Sequence, residues 1–203
     1  IPRQMLRSRL LEAVKPSSVR WGSKLKSFYC SDEKESDRKV SIKLIDGTEL
    51  DAAILVGCDG IFSTVRRQLK LSGDRLNYVG LVVVLGIVED RVMAVNLAKR
   101  RIFETVDGTT RIYAMPFTTS STMWQLSFPC PEETARAFMK DAAALKTEIT
   151  RRCAAWHEPI PAMLRKTPLD CMSGYPVYDR ELLVAGVLRP SQTRRRVTLM
   201  GDA

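Results

Sequence analysis

The stretch from Asp51 to Leu69, DAAILVGCDGIFSTVRRQL, constrains the chain more than any other. Six of the seven residues from Ala52 to Cys58 are apolar and the seventh is Gly57. A run this short, bounded by turn residues, predicts a strand buried on both faces rather than a helix. The strand stops at Asp59-Gly60, and Ser63 or Thr64 is placed to cap a helix carrying Val65, Arg66, Arg67 and Leu69. A strand, a tight acidic turn and a helix form the arrangement in which open α/β sheets place ligands at the carboxyl ends of their strands. The dipeptide alone does not distinguish this site. Asp46-Gly47 and Asp107-Gly108 lie between alternating segments and predict ordinary hairpin turns.

The block VGCDGIFSTVR resembles the Asp-Gly motif of the class A flavoprotein monooxygenases, the FAD-dependent aromatic hydroxylases. In that motif an Asp-Gly is followed by a Ser three residues on and an Arg three beyond it, and Asp59, Gly60, Ser63 and Arg66 stand at those places. The apolar VTLM run ending in Gly201-Asp202 is similar to the second FAD motif of the same family. There, an Asp carboxylate accepts a hydrogen bond from a ribitol hydroxyl and the Gly lets the backbone approach closely. Arg3, Leu6 and Leu10 resemble the family helix that presents an Arg or Gln to the FAD pyrophosphate, a contact suited to a guanidinium. The resemblance runs over essentially the whole chain, and it implies Arg3, Asp59, Gly60, Arg66, Gly201 and Asp202 as cofactor-binding residues. No G-x-G-x-x-G phosphate loop occurs in the 203 residues. The chain opens on Ile1 and ends at Ala203 within what reads as a functional turn, so it is expected to be a piece of a longer protein with the Gly-rich loop upstream.

The rest of the chain divides by character. Arg3 to Val14 reads as a helix with Leu6, Leu10, Leu11 and Val14 on one face. Val19–Tyr29 and Val40–Ile45 read as strands flanking a charged loop. From about Leu76 the segments LVVVLGIV, VMAVNL, RRIFETV, TRIYAMPF and TMWQLSF predict four or five antiparallel strands. In the last of these, alternation sets Trp124, Leu126 and Phe128 on one face and Met123, Gln125 and Ser127 on the other. Pro131–Trp156 reads as helical with a break near Asp141. The resemblance implies that this sheet roofs the flavin, with Met115, Phe117 and Gln125 as candidate substrate contacts.

The expected fold is α/β (α+β): part of a dinucleotide-binding, Rossmann-like sheet interrupted by a mostly antiparallel substrate domain. The boundaries are 1–75 and 196–203 for the FAD-binding part and 76–195 for the substrate part. The activity implied by the resemblance is FAD- and NAD(P)H-dependent insertion of one oxygen of O2 into a small organic, aromatic-type substrate. Two alternatives stand beside it: a flavoprotein of the same fold running an epoxidation or a reduction, and a non-catalytic basic module that binds nucleic acid. The net charge of +9 makes phosphate-bearing partners reasonable. Its scatter, with short clusters only at Lys99-Arg100-Arg101 and Arg194-Arg195-Arg196, argues against nucleic acid, as does the lack of an aromatic-basic interleaved strand. Five widely spaced cysteines without a C-x-x-C favour neither a disulfide framework nor zinc, and His157, the only histidine, lacks a partner for metal or nucleophile chemistry. No metal is expected and no catalytic acid or base is assigned. No apolar run is long enough for a membrane span, so a cytoplasmic location is expected.

Overall fold

The structure, a computed structural model, describes residues 2–30, 39–93, 102–183 and 196–203. In chain order the elements are α1 (Arg3–Glu12), β1 (Leu25–Cys30), β2 (Val40–Leu44), β3 (Glu49–Ala52), β4 (Leu55–Gly57) and α2 (Thr64–Leu69). They continue with β5 (Leu76–Glu89), β6 (Phe103–Val106), β7 (Arg111–Pro116), β8 (Ser121–Pro129), α3 (Glu132–Phe138), α4 (Ala142–Arg152), α5 (Ile160–Lys166), β9 (Met172–Arg180) and β10 (Val197–Leu199). They fall into two units, each built from two separated stretches: Ile1–Glu12 with Tyr78–Val177, and Ala13–Asn77 with Tyr178–Ala203.

The first unit is a five-stranded sheet in the order β6-β7-β8-β5-β9. Its pairs β5–β8, β7–β8 and β6–β7 are antiparallel, the last turning at Asp107-Gly108 as its dipeptide predicts. Period-two alternation decides which face is covered. Trp124, Leu126 and Phe128 are buried on the face where Val82, Val84, Ile112 and Ala114 also lie, and Leu145, Ile149, Ile160 and Met163 from α4 and α5 join them in one core. Gly86 makes room for the indole, since a Cβ there would stand 2.2 Å from a Trp124 ring carbon. The indole N–H donates to Thr167 Oγ1 at 2.9 Å, which satisfies the one polar atom of an otherwise apolar payload. The expected break at Asp141 separates α3 from α4, and the Asp141 carboxylate accepts from Ala144 N at 2.9 Å as an N-cap.

Several expectations change. The helix α1 stops at Glu12, and its apolar stripe is uncovered among the described residues, with Leu6 and Leu10 more than half exposed. VMAVNL contributes Val92 to a short 3-10 turn, and its remainder beyond Met93 lies outside the described residues. The clusters Lys99-Arg100-Arg101 and, except for Arg196, Arg194-Arg195-Arg196 also lie outside them. Helix α5 and strand β9 were not expected from sequence.

The second unit holds an antiparallel sheet, β1-β2-β3, and a parallel pair, β10-β4. The β2–β3 hairpin turns at Asp46-Gly47 as predicted; Gly47 takes φ +87° and the Asp46 carboxylate accepts from Thr48 N at 2.9 Å. Strand β1 begins only at Leu25, because a 3-10 turn at Pro16–Ser18 and Gly22 at φ +70° occupy the segment before it. The expected continuous strand over Ala52–Cys58 is two strands: β3 pairs with β2, and β4 pairs in parallel with β10. Nor is it buried on both faces, since Ile54 and Val56 are exposed. Among the described residues β4 has one sheet neighbour and one covering helix, α2, so only the face at Gly57 is closed.

Candidate cofactor site

The parallel register Leu55↔Val197 to Gly57↔Leu199 sets the carboxyl ends of β4 and β10 side by side, and Met200 N extends it by donating to Gly57 O at 2.9 Å. Each end leads into a turn carrying glycine and aspartate. Helix α2 packs close against β4 because residue 57 has no side chain: a Cβ there would stand 2.8 Å from Val65 Cβ and 2.9 Å from Leu199 Cδ2. An isolated Gly in a strand pattern signals such an approach, and this is the signal for a residue that the motif reading passed over.

After β4 the backbone passes through Gly60 at φ +77°, a conformation that a residue with a Cβ rarely adopts. Ser63 N then donates to Gly60 O at 2.8 Å, and Ser63 is the N-cap of α2, its Oγ accepting from Arg66 N at 2.9 Å. The Asp59 carboxylate completes the cap by accepting from Ser63 Oγ at 2.5 Å, Thr64 N at 2.6 Å and Val65 N at 3.3 Å. Partial burial pushes this carboxyl up, but the hydrogen bonds from Ser63, Thr64 and Val65 outweigh it and hold the group below the usual aspartate range. The carboxylate is therefore ionised at neutral pH and engaged with its own helix.

After β10, Gly201 takes φ +68° and lies in the open, so its glycine serves backbone conformation, and Asp202 beside it is exposed. Arg66 is 5% exposed. Its guanidinium donates from Nε to Asp74 Oδ1 at 2.9 Å, from Nη1 to Ala203 O at 3.2 Å and from Nη2 to Glu181 O at 3.3 Å. Arg180 joins the same carboxylate, with Nη1 at 3.0 and 3.1 Å from the two Asp74 oxygens, and donates from Nε to Ile61 O at 2.9 Å. Five of the six expected residues, Asp59, Gly60, Arg66, Gly201 and Asp202, thus lie in one unit around the ends of two adjacent strands. Arg3 belongs to the other unit, exposed at the start of α1. Asp74 and Arg180 were not foreseen; they are separated by 106 residues and belong to no spaced motif. Among the described residues no three His, Cys, Asp or Glu side chains are grouped to hold a metal. His157 is exposed beside Thr105 Oγ1 at 2.9 Å. No helix of the described residues is long and apolar enough to cross a membrane.

The site fits a dinucleotide cofactor in one respect that can be read directly. Two bare glycine turns and an exposed carboxylate sit where parallel strands end, the place at which α/β sheets receive such ligands.

No family model matches the chain. Aurachin C monooxygenase/isomerase of Stigmatella aurantiaca is 27% identical over 205 residues, covering 100% of this chain and 48% of that protein. The structure of Klebsiella pneumoniae HpxO complexed with FAD and uric acid superimposes with a TM-score of 0.76 at 23% identity, covering 98% of this chain and 47% of that one. The 2,6-dihydroxypyridine-3-hydroxylase of Arthrobacter nicotinovorans gives a TM-score of 0.74 at 16% identity, over 95% of this chain and 51% of that one. The chain spans about half the length of the relatives it matches. The chain is thus similar along its full length to a curated monooxygenase, and it shares the fold of a structure that holds FAD and of a hydroxylase.

Proposed function

We propose that this chain works in an FAD- and NAD(P)H-dependent monooxygenase that inserts one oxygen of O2 into a small organic, aromatic-type substrate in the cytoplasm. The observation that carries the reading is the pair of Gly- and Asp-bearing turns at the carboxyl ends of the adjacent parallel strands β4 and β10. Residues 1–75 and 196–203 would serve the FAD-binding part and 76–195 the substrate part. FAD would supply the electron transfer and the oxygen activation. Asp202 would accept a ribitol hydroxyl and Arg3 would meet the pyrophosphate. Gly60 and Gly201 keep the backbone bare, while Asp59 and Arg66 shape the turns rather than present free groups. On the sheet of the first unit, the face opposite the core carries Tyr113, Met115, Met123 and Gln125, all half-buried. That mixture, apolar with two hydrogen-bonding groups, suits a flat ring bearing polar substituents, and Phe117 at its edge would add a further contact.

The test is flavin binding, on which every later step depends. The chain alone is expected not to retain FAD, because no Gly-rich phosphate loop is among the 203 residues, so FAD is titrated into an enzyme of the full length of the relatives. Asp202→Ala should weaken binding about tenfold or more, since a charge-assisted hydrogen bond is worth about 1.5 to 3 kcal/mol. Equal affinity in the variant and the parent rejects the assignment. In an enzyme of the full length of the relatives, Asp59→Ala should slow flavin reduction by NAD(P)H.

A further inference from the structure

We propose that Asp74 is a positioning residue that fixes the two cofactor turns relative to each other. One carboxylate holds two guanidiniums, and each guanidinium grips a different turn. Arg180 reaches from Asp74 to Ile61 O, two residues past Asp59, and Arg66 reaches from Asp74 to Ala203 O, one residue past Asp202. The third anchor is Glu181 O, which ties the chain beside Arg180 to Arg66. The Arg66, Asp74 and Arg180 side chains are 7%, 12% and 16% exposed, so the group is shielded from the water that makes surface ion pairs loose.

Three features set this cluster apart from a pair that merely stabilises. Each guanidinium is planar and donates in two or more directions at once, which transmits orientation as well as charge. Two of the three carbonyls gripped, Ile61 O and Ala203 O, lie at the turns rather than in the strands or the helix. Among the described residues Asp74 is the one side chain that meets both guanidiniums, so its loss weakens both arms together. The meaning of the brace for a cofactor rests on the flavin reading above, because a ligand that spans two turns is sensitive to displacements of about 1 Å between them.

Amide hydrogen exchange on the purified chain tests the geometry without flavin. Thr64 and Val65 amides report the first turn through their bonds to Asp59, Met200 reports the second through Gly57, and Ile42 in β2 is the internal control. Asp74→Asn should speed exchange about tenfold at both turns and leave Ile42 unchanged. Arg180→Lys should loosen Thr64 and Val65 alone, and Arg66→Lys should loosen Met200 alone; these milder variants decide the matter if Asp74→Asn does not fold. Uniform acceleration at all reporters, or none at either turn, overturns the proposal. In the FAD titration Asp74→Asn should weaken binding about tenfold, and an unchanged affinity breaks the link to the cofactor. If an enzyme of the full length of the relatives shows no flavin binding, the proposed function fails, and the exchange pattern alone decides the brace.

Discussion

Among the described residues the sheet unit gathers seventeen buried apolar side chains in one core, whereas the core of the unit carrying the turns gathers six and has beside it a nearly dry cluster of two arginines and an aspartate. Apolar packing is strong and non-directional, and it makes the β5–β9 sheet a stiff platform. Hydrogen-bonded ion pairs add little net stability but fix angles. A platform needs the first kind of support and a pair of ligand-facing turns needs the second. The comparison predicts that the sheet unit fails by losing volume and the turn unit by losing direction.

Trp124→Ala should produce the largest effect. The side chain is wholly buried over Gly86 and its N–H is engaged by Thr167, so its removal should cost about 3 to 5 kcal/mol in urea unfolding. A loss under about 1 kcal/mol would break the contrast between the two units. Gly57→Ala should come next, at about 1 to 3 kcal/mol, since the new methyl overlaps Val65 and Leu199. Here the sharpening observation is location: exchange should rise at α2 amides while the Trp124 environment, read by fluorescence, stays as in the parent.

The smallest effect is expected at Asp59. Its folded carboxyl lies below its unfolded value, so the unfolded chain binds the extra proton and stability rises with pH in that window. The contribution should be complete above about pH 4 and fade as pH falls through the lowered folded value. Asp59→Asn should remove that acid-side slope and cost about 1 kcal/mol at neutral pH, the usual worth of a cap. An identical acid slope in parent and variant would show that another carboxylate carries it.

What could be read in the sequence was what is encoded locally. Trp124, Leu126 and Phe128 announce their face by alternation, Asp46-Gly47 and Asp107-Gly108 announce hairpins, and Asp141 announces a helix start. The motifs at Asp59-Gly60 and Gly201-Asp202 were readable as well. Their adjacency was not, because nothing in either segment states that β4 and β10 pair. Helix α5 escaped notice because Pro159 and Pro161 mark a helix start as readily as they mark a loop. Strand β9 escaped because Gly174 and Pro176 weaken a strand pattern, although Gly174 has a packing reason: a Cβ there would stand 2.5 Å from Leu145 Cδ2. The Asp74 brace left no trace, since an ion pair formed across the fold has no period and no spacing.

The way each unit is threaded bears on the order of folding. Arg66 and Ala203 meet although 137 residues separate them in sequence. Closing a loop of that size from a disordered chain is slow, because the chain must search before any contact rewards it. Residues 78–177 make up most of the first unit in one stretch of sequence, and β5 and β9, which carry the chain in and out, are neighbours in its sheet. Once that sheet has formed, the two halves of the turn unit are delivered close together, and the effective loop between β4 and β10 shrinks from a hundred-odd residues to the short segments on either side. The sheet unit would therefore act as an internal template: a variant that slows its folding, such as Trp124→Ala, should delay the appearance of the β4–β10 pairing by the same factor in a refolding time course.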